Sequence, residues 1–177
     1  MKKYEFTGET KEIRLLFRTA TLHRIRATVA FGIVEVGDLG GWIEKEENLS
    51  HEGKAWVCGD AKVWGNAKVW GNAKVWGNAE VCGDAKVWGN AKVFSASHVL
   101  VIGAIGSRND FTTFYRDKDN EITVKCGCFL GKIDRFLEKV TQTHGDSKYA
   151  LVYRAAVEVA KLQIDLSGEA PKDADEE

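Results

Sequence analysis

Between Ala55 and Val93 apolar residues return every six positions, with alanine at 55, 61, 67, 73, 79, 85 and 91 and valine at 57, 63, 69, 75, 81, 87 and 93. No globular helix or ordinary sheet has that period. Within a unit such as Ala67-Lys68-Val69-Trp70 the side chains alternate in the period of two that belongs to a strand, and Gly71-Asn72 then supplies a bend where positive φ costs little. Each unit therefore predicts one short strand and one corner. Strands this short bury no face alone, so they must coil and stack, giving a parallel β-solenoid with a column of Val and Ala inside.

The flanks follow other patterns. In residues 1–48 Ile13-Arg-Leu-Leu-Phe17, Leu22-His-Arg-Ile-Arg26 and Gly32-Ile-Val-Glu-Val36 predict short strands, with turns at Gly37-Asp38 and Gly40-Gly41. This is a strand-rich N-terminal cap. Ile43, Leu49 and Ala55 are themselves six apart, so the coils are expected to begin before the clear repeat does. The repeat occupies 49–98. A separate module fills 99–166, opening with the strand Val99-Leu-Val-Ile-Gly-Ala-Ile105. A hairpin of Thr112–Arg116 and Glu121–Lys125 comes next, then a helix carrying Ile133, Phe136, Leu137 and Val140 that Gly145 ends. Asp146 or Ser147 caps a second helix bearing Ala150, Tyr153, Ala156, Val157 and Ala160. The expected fold is mainly β, a β-helix with a small ββαα C-terminal module. Residues 167–177 are charged and expected to be disordered.

If three hexapeptides complete a turn, positions eighteen apart stack at about 4.8 Å, the strand spacing. Outside, Trp70 lies against Trp88, Trp76 lies between Cys58 and Phe94, and Trp64 adjoins Cys82. Such rings, beside outward lysines, either brace the sheet through cation–π contact or form an aromatic face for another subunit or partner. Trp64, Trp70, Trp76, Trp88 and Phe94 are the candidate oligomer or partner surface, and the ridge predicts a homo-oligomer.

Composition narrows the function. A net charge of −1 argues against a nucleic-acid protein working by bulk electrostatics, although Lys62, Lys68, Lys74, Lys86 and Lys92 make the solenoid locally basic. No apolar stretch approaches the roughly 20 residues that span a bilayer, and the N-terminus lacks a signal-peptide pattern, so a cytoplasmic protein is expected. Cys58, Cys82, Cys126 and Cys128 then read as free thiols, and Cys126-Gly-Cys128 is too tight for a relaxed disulfide. With His144 they do not make a zinc set, and no metal or cofactor is expected. His51 and His98 flank the repeat as possible bases, but lone histidines at strand ends are ordinarily structural.

The most suggestive polar cluster is Thr143-His-Gly-Asp-Ser-Lys-Tyr149 at a predicted helix start, where open amides and the helix dipole favour anions. An ordinary capped helix start is the alternative reading. Arg108, Tyr115, Arg116 and Lys125 could converge there with His144, Gly145, Ser147, Lys148 and Tyr149, forming an Arg, Lys, aromatic and Gly-amide site suited to a nucleotide or phosphorylated metabolite.

The Val-x-Gly-Asn/Asp-Ala-x hexapeptide resembles the left-handed β-helix of bacterial hexapeptide-repeat proteins, and that resemblance implies the left hand. A closer likeness rests on Gly37-Asp-Leu-Gly-Gly-Trp-Ile43, Asn48-Leu-Ser-His-Glu-Gly53, the repeats, Thr112-Thr-Phe-Tyr-Arg116, Val124-Lys-Cys-Gly-Cys-Phe129 and Thr143-His-Gly-Asp-Ser-Lys-Tyr-Ala150. These segments are similar to phage and prophage proteins labelled polymer-forming or hexapeptide-repeat proteins. The resemblance implies a non-enzymatic accessory protein of a host cytoplasm. It would oppose host defence by sequestering a small anion such as a nucleotide immune signal, or by binding a host defence protein through the Trp/Lys faces. A structural scaffold and a hexapeptide-repeat acyltransferase are the remaining alternatives. The latter is disfavoured by the lack of histidine from 52 to 97 and of any long loop interrupting the coils.

Overall fold

The computed structural model describes residues 2–15 and 18–167; the expectation of a disordered tail falls almost wholly outside them. The chain is mainly β, with two helices at its C-terminal end. Seven two-residue strands follow the repeat: β4 (Trp56–Val57), β5 (Lys62–Val63), β6 (Lys68–Val69), β7 (Lys74–Val75), β8 (Glu80–Val81), β9 (Lys86–Val87) and β10 (Lys92–Val93). They are preceded by β1 (Tyr4–Arg14), β2 (Thr19–Ala27) and β3 (Leu39–Ile43). The short strands pair in parallel at the eighteen-residue offset, Val57 with Val75 and Val75 with Val93, Val63 with Val81, and Val69 with Val87. Every repeat alanine and valine is buried to 1 % exposure or less. Each bend uses a glycine at positive φ. At Gly71 (φ 75°) a Cβ would also stand 2.6 Å from Trp88, so the corner needs glycine for conformation and for space.

The coils begin before the clear repeat, as expected, and the first is irregular: the six-residue spacing holds from Ile43 to Leu49 but does not carry on to Ala55. Ile43 pairs with Val63 and Leu49 bridges Val69, offsets of twenty, and the residue that continues their inward row is Val57. Ala55 occupies the alanine position of its own unit. The step from Leu49 to Val57 holds two extra residues, in the bend before Ala55. β1 and β2 form a long antiparallel hairpin whose second strand pairs with β3. The strand expected over Gly32–Val36 is instead a tight turn bridged between Phe31 and Val34, because Gly32 takes φ 58°. Tyr4, Ile25, Ala27 and Val34 close this end of the coil stack. The Tyr4 hydroxyl donates to the Leu49 carbonyl at 2.8 Å.

At the other end the module has four strands, one more than the expected strand and hairpin. β11 (Val99–Ile105), β12 (Asp110–Arg116), β13 (Ile122–Cys126) and β14 (Phe129–Lys132) make an antiparallel meander. Gly127 at φ 54° turns the chain tightly enough for Phe129–Lys132 to pair back on β13. Helices α1 (Ile133–His144) and α2 (Lys148–Gln163) cover one face of this sheet, burying Phe114, Val124, Phe136, Val140 and Val157. The opposite face seals the last coil. Tyr115, Val99 and Val101 join the solenoid core, the Tyr115 hydroxyl donates to the Trp88 carbonyl at 2.8 Å, and Lys86 N–H donates to Thr113 Oγ1 at 3.0 Å. The coil stack is thus closed at both ends, and its sides are what remain exposed.

Candidate functional site

The nine residues expected to bind an anion do not form one site. Strand alternation sends Phe114 and Val124 to the helices and their neighbours Tyr115 and Lys125 to the solenoid, where both are buried. Tyr115 is committed to the Trp88 carbonyl, and burial pushes its phenol above the ordinary tyrosine range. Lys125 Nζ donates to the Gly127 carbonyl at 2.6 Å and stands 4.9 Å over the Trp88 ring, and burial lowers its ammonium from the usual value. Arg116 is 1 % exposed, stacks on Phe94 at 4.9 Å and donates to the Ser167 carbonyl at 3.1 Å. Burial first, and then the Arg116 charge beside it, hold His98 below the usual imidazole range. These three residues are structural corrections to the expected site: none is an open ligand group.

Arg108 lies at the other end of β12, in the β11–β12 turn near Gly127. That turn meets the α1–α2 junction. A Cβ on Gly106 would fall 1.9 Å from the Tyr153 hydroxyl, so glycine is required for the approach. Burial first, and then the Cys126 thiol nearby, raise the Tyr153 phenol above its ordinary value. His144 stacks on Tyr153 at 5.8 Å and stands 6.0 Å from Tyr149. Gly145 ends α1 at φ 54°, and Ser147 begins α2 without a side-chain cap. Lys148 and Tyr149 are exposed there, with Nζ 5.2 Å over the ring. Sequence reasoning missed Arg154, whose contacts with Asp146, Thr141 and Gly145 at 3.3–3.4 Å brace the junction.

The surface aromatics also separate. Trp64 is buried, because the β1–β2 hairpin lays Leu22 over it beside Trp42. Phe94 sits between Trp76 at 5.4 Å and Arg116, with His98 edge-on at 4.2 Å. Trp70 and Trp88 remain partly exposed as a ridge, their ring centroids 5.4 Å apart. On the same coil side Lys68 and Lys86 are register partners, so two ammonium-bearing stems rise one strand spacing apart, about 4.8 Å. Lys86 has Asp110 at 4.0 Å, whereas Lys68 is exposed and has no ion-pair partner among the described residues. Lys68 also borders an open cleft of about 420 Å³ with Lys45, Glu47 and Asn66.

Three acidic groups, Asp117, Asp119 and Glu121, converge within 4.8 Å, but Lys132 reaches all of them and Lys118 pairs with Asp119, so two ammonium groups already lie against the cluster. His51 and His98, the two candidate bases, lie at opposite ends of the coil stack. His51 stacks on Tyr4 at 4.3 Å and accepts Lys3 N–H at 3.1 Å, while His98 packs on Phe94. Among the described residues no helix is long and apolar enough to cross a membrane. Comparison of the chain with protein-family models and with curated proteins finds no match.

Proposed function

We propose that this protein is a non-catalytic binding protein, a left-handed parallel β-helix whose Trp70–Trp88 ridge and Lys68–Lys86 rung hold an acidic surface of a partner protein. The observation that carries this reading is the adjacency of two partly exposed indoles, tilted at 33° with centroids 5.4 Å apart, and two like charges in register. Stacked ammonium groups repel, and an anionic counterpart relieves them while the indoles supply the buried apolar anchor typical of interface hot spots. The resemblance to phage and prophage hexapeptide-repeat proteins adds the setting: an anti-defence accessory protein acting on a host protein.

Lysine-reactive cross-linking in host lysate tests it. Wild-type protein should yield a partner joined through Lys68 or Lys86, and Trp70→Ser with Trp88→Ser should weaken capture at least ~30-fold, since one lost hot spot costs about 2 kcal/mol or more. Unchanged capture by the double variant sinks the reading.

A second reading is favoured by the uncapped start of α2, where His144, Lys148 and Tyr149 surround open backbone amides. There the ligand is a small anion, a nucleotide immune signal in the phage setting. Calorimetry against linear and cyclic nucleotides should give heat that Lys148→Ala reduces by about 1.5–3 kcal/mol in affinity, the range of a charge-assisted hydrogen bond. No heat with any of them removes this reading.

A further inference from the structure

Helix α2 is apolar on both sides. Ala150, Tyr153, Ala156, Val157 and Ala160 face the module core, yet the opposite side carries Leu151, Val152, Val159 and Leu162 at 40–89 % exposure, together with exposed Ala155. A helix apolar all round belongs in an interior, so this outer stripe is suited to a partner rather than to water. Its spacing identifies the kind of partner. Val152, Ala155, Val159 and Leu162 advance by three, four and three residues, the a/d seam of a coiled coil, while Arg154, Glu158 and Lys161 stand to one flank.

We infer that this seam is a self-association surface that takes α2 of a second copy, antiparallel. Residues 168–177 are a poor occupant, because their only uncharged non-glycine residues are Ala170, Pro171 and Ala174. A second copy is complementary in shape and compatible in charge. With the two-fold axis near Val157, Val152 meets Leu162 and Ala155 meets Val159 of the other copy. Along one flank Arg154, Glu158 and Lys161 put both signs of charge at the seam's edge, each already paired within its own copy, so the two-fold sets no unpaired like charges against each other. Ala155 at the centre allows a close approach of the axes, about 8–10 Å, and the opposed helix dipoles attract. One helix face is smaller than the roughly 800 Å² per partner of a standard interface, so the dimer is reversible. This inference is independent of the Trp70–Trp88 reading.

Sedimentation of the full chain from micromolar to near-millimolar protein tests it. Wild-type mass should rise from one copy to two. Val159→Glu with Leu162→Glu should raise the dissociation constant at least ~100-fold, leaving one copy throughout, because two buried carboxylates would face apolar side chains. The milder Leu151→Ser with Val152→Ser should weaken it in the same direction, and unchanged melting of either variant separates lost association from lost folding. Trp70→Ser with Trp88→Ser should leave the mass isotherm unmoved. A wild type that stays single at the highest concentration, a charged variant that dimerises like wild type, or dimerisation lost only with the tryptophans overturns the inference.

Discussion

Val69→Asp should abolish cooperative folding of the coil stack near neutral pH, while Lys68→Asp, one residue away, should leave the melting temperature within a few degrees. Val69 is 1 % exposed, between Leu49 and Val87 in one inward row, and no polar side chain shares that row. The substitution removes about 1.5–3 kcal/mol of apolar burial and places a carboxylate where it has no hydrogen-bond donor, a cost of several kcal/mol more. Against a total stability of about 5–15 kcal/mol this is most of the margin. The sign with pH follows from the same burial. The folded-state pKa of the introduced carboxyl is raised above its unfolded value of about 3.9, so the folded state holds the proton more tightly and the variant recovers stability as pH falls from 7 towards 4. Lys68 is exposed and faces Lys86, so an acidic residue there replaces repulsion with attraction worth tenths of a kcal/mol. Thermal unfolding followed by circular dichroism, at neutral and acid pH, reads both variants. Equal melting temperatures would reverse the assignment of inside and outside.

The repeat was legible because its signal is redundant: seven alanines and seven valines in one period leave a single way to bury them all. The eighteen-residue stacking and the Trp70–Trp88 contact followed directly. The early start of the coils was legible too, since Ile43 and Leu49 stack on Val63 and Val69 with the same six-residue spacing; what the spacing hid is that two extra residues before Ala55 shift the phase there. The N-terminal hairpin shows in the sequence only as short strands near Ile13 and Leu22, because its exposed half, from Phe6 to Glu12, is mostly polar and offers little alternation. Without that hairpin Trp64 reads as an outward residue, whereas in the fold Leu22 covers it. The expected convergence of Tyr115, Arg116 and Lys125 with the start of α2 fails for a different reason. Tyr115, Arg116 and Lys125 are residue types that serve ligands and interiors equally, and only the closure of the solenoid by the meander sheet decides their roles. The apolar outer side of α2 was present in the spacing of Val152, Ala155, Val159 and Leu162, but a helix with two apolar sides hides which one faces inward.

Tyr115→Ala should lower stability by about 3–5 kcal/mol, the cost of removing a large buried aromatic whose site cannot collapse. The ring is 1 % exposed, belongs to the solenoid core and lies on the sheet that seals the last coil. Its loss leaves a void beneath Val87 and Val93 and strands the Trp88 carbonyl. Tyr115→Phe keeps the ring and deletes only the 2.8 Å bond to that carbonyl, so it should cost about 1–3 kcal/mol, the penalty of leaving one buried acceptor unmet. Hydrogen exchange locates the damage. The Ala variant should lose protection at β9 and β10 before β4, because the coil end nearest the missing cap opens first. A tyrosine serving as a ligand platform would behave oppositely, with stability intact after truncation and affinity lost. Arg108→Ala supplies the contrast: exposed in the β11–β12 turn, it should leave the same amides protected and the melting temperature nearly unchanged. If Tyr115→Ala melts like wild type, the sheet does not seal the solenoid through this residue, and Tyr115 returns as a candidate for binding.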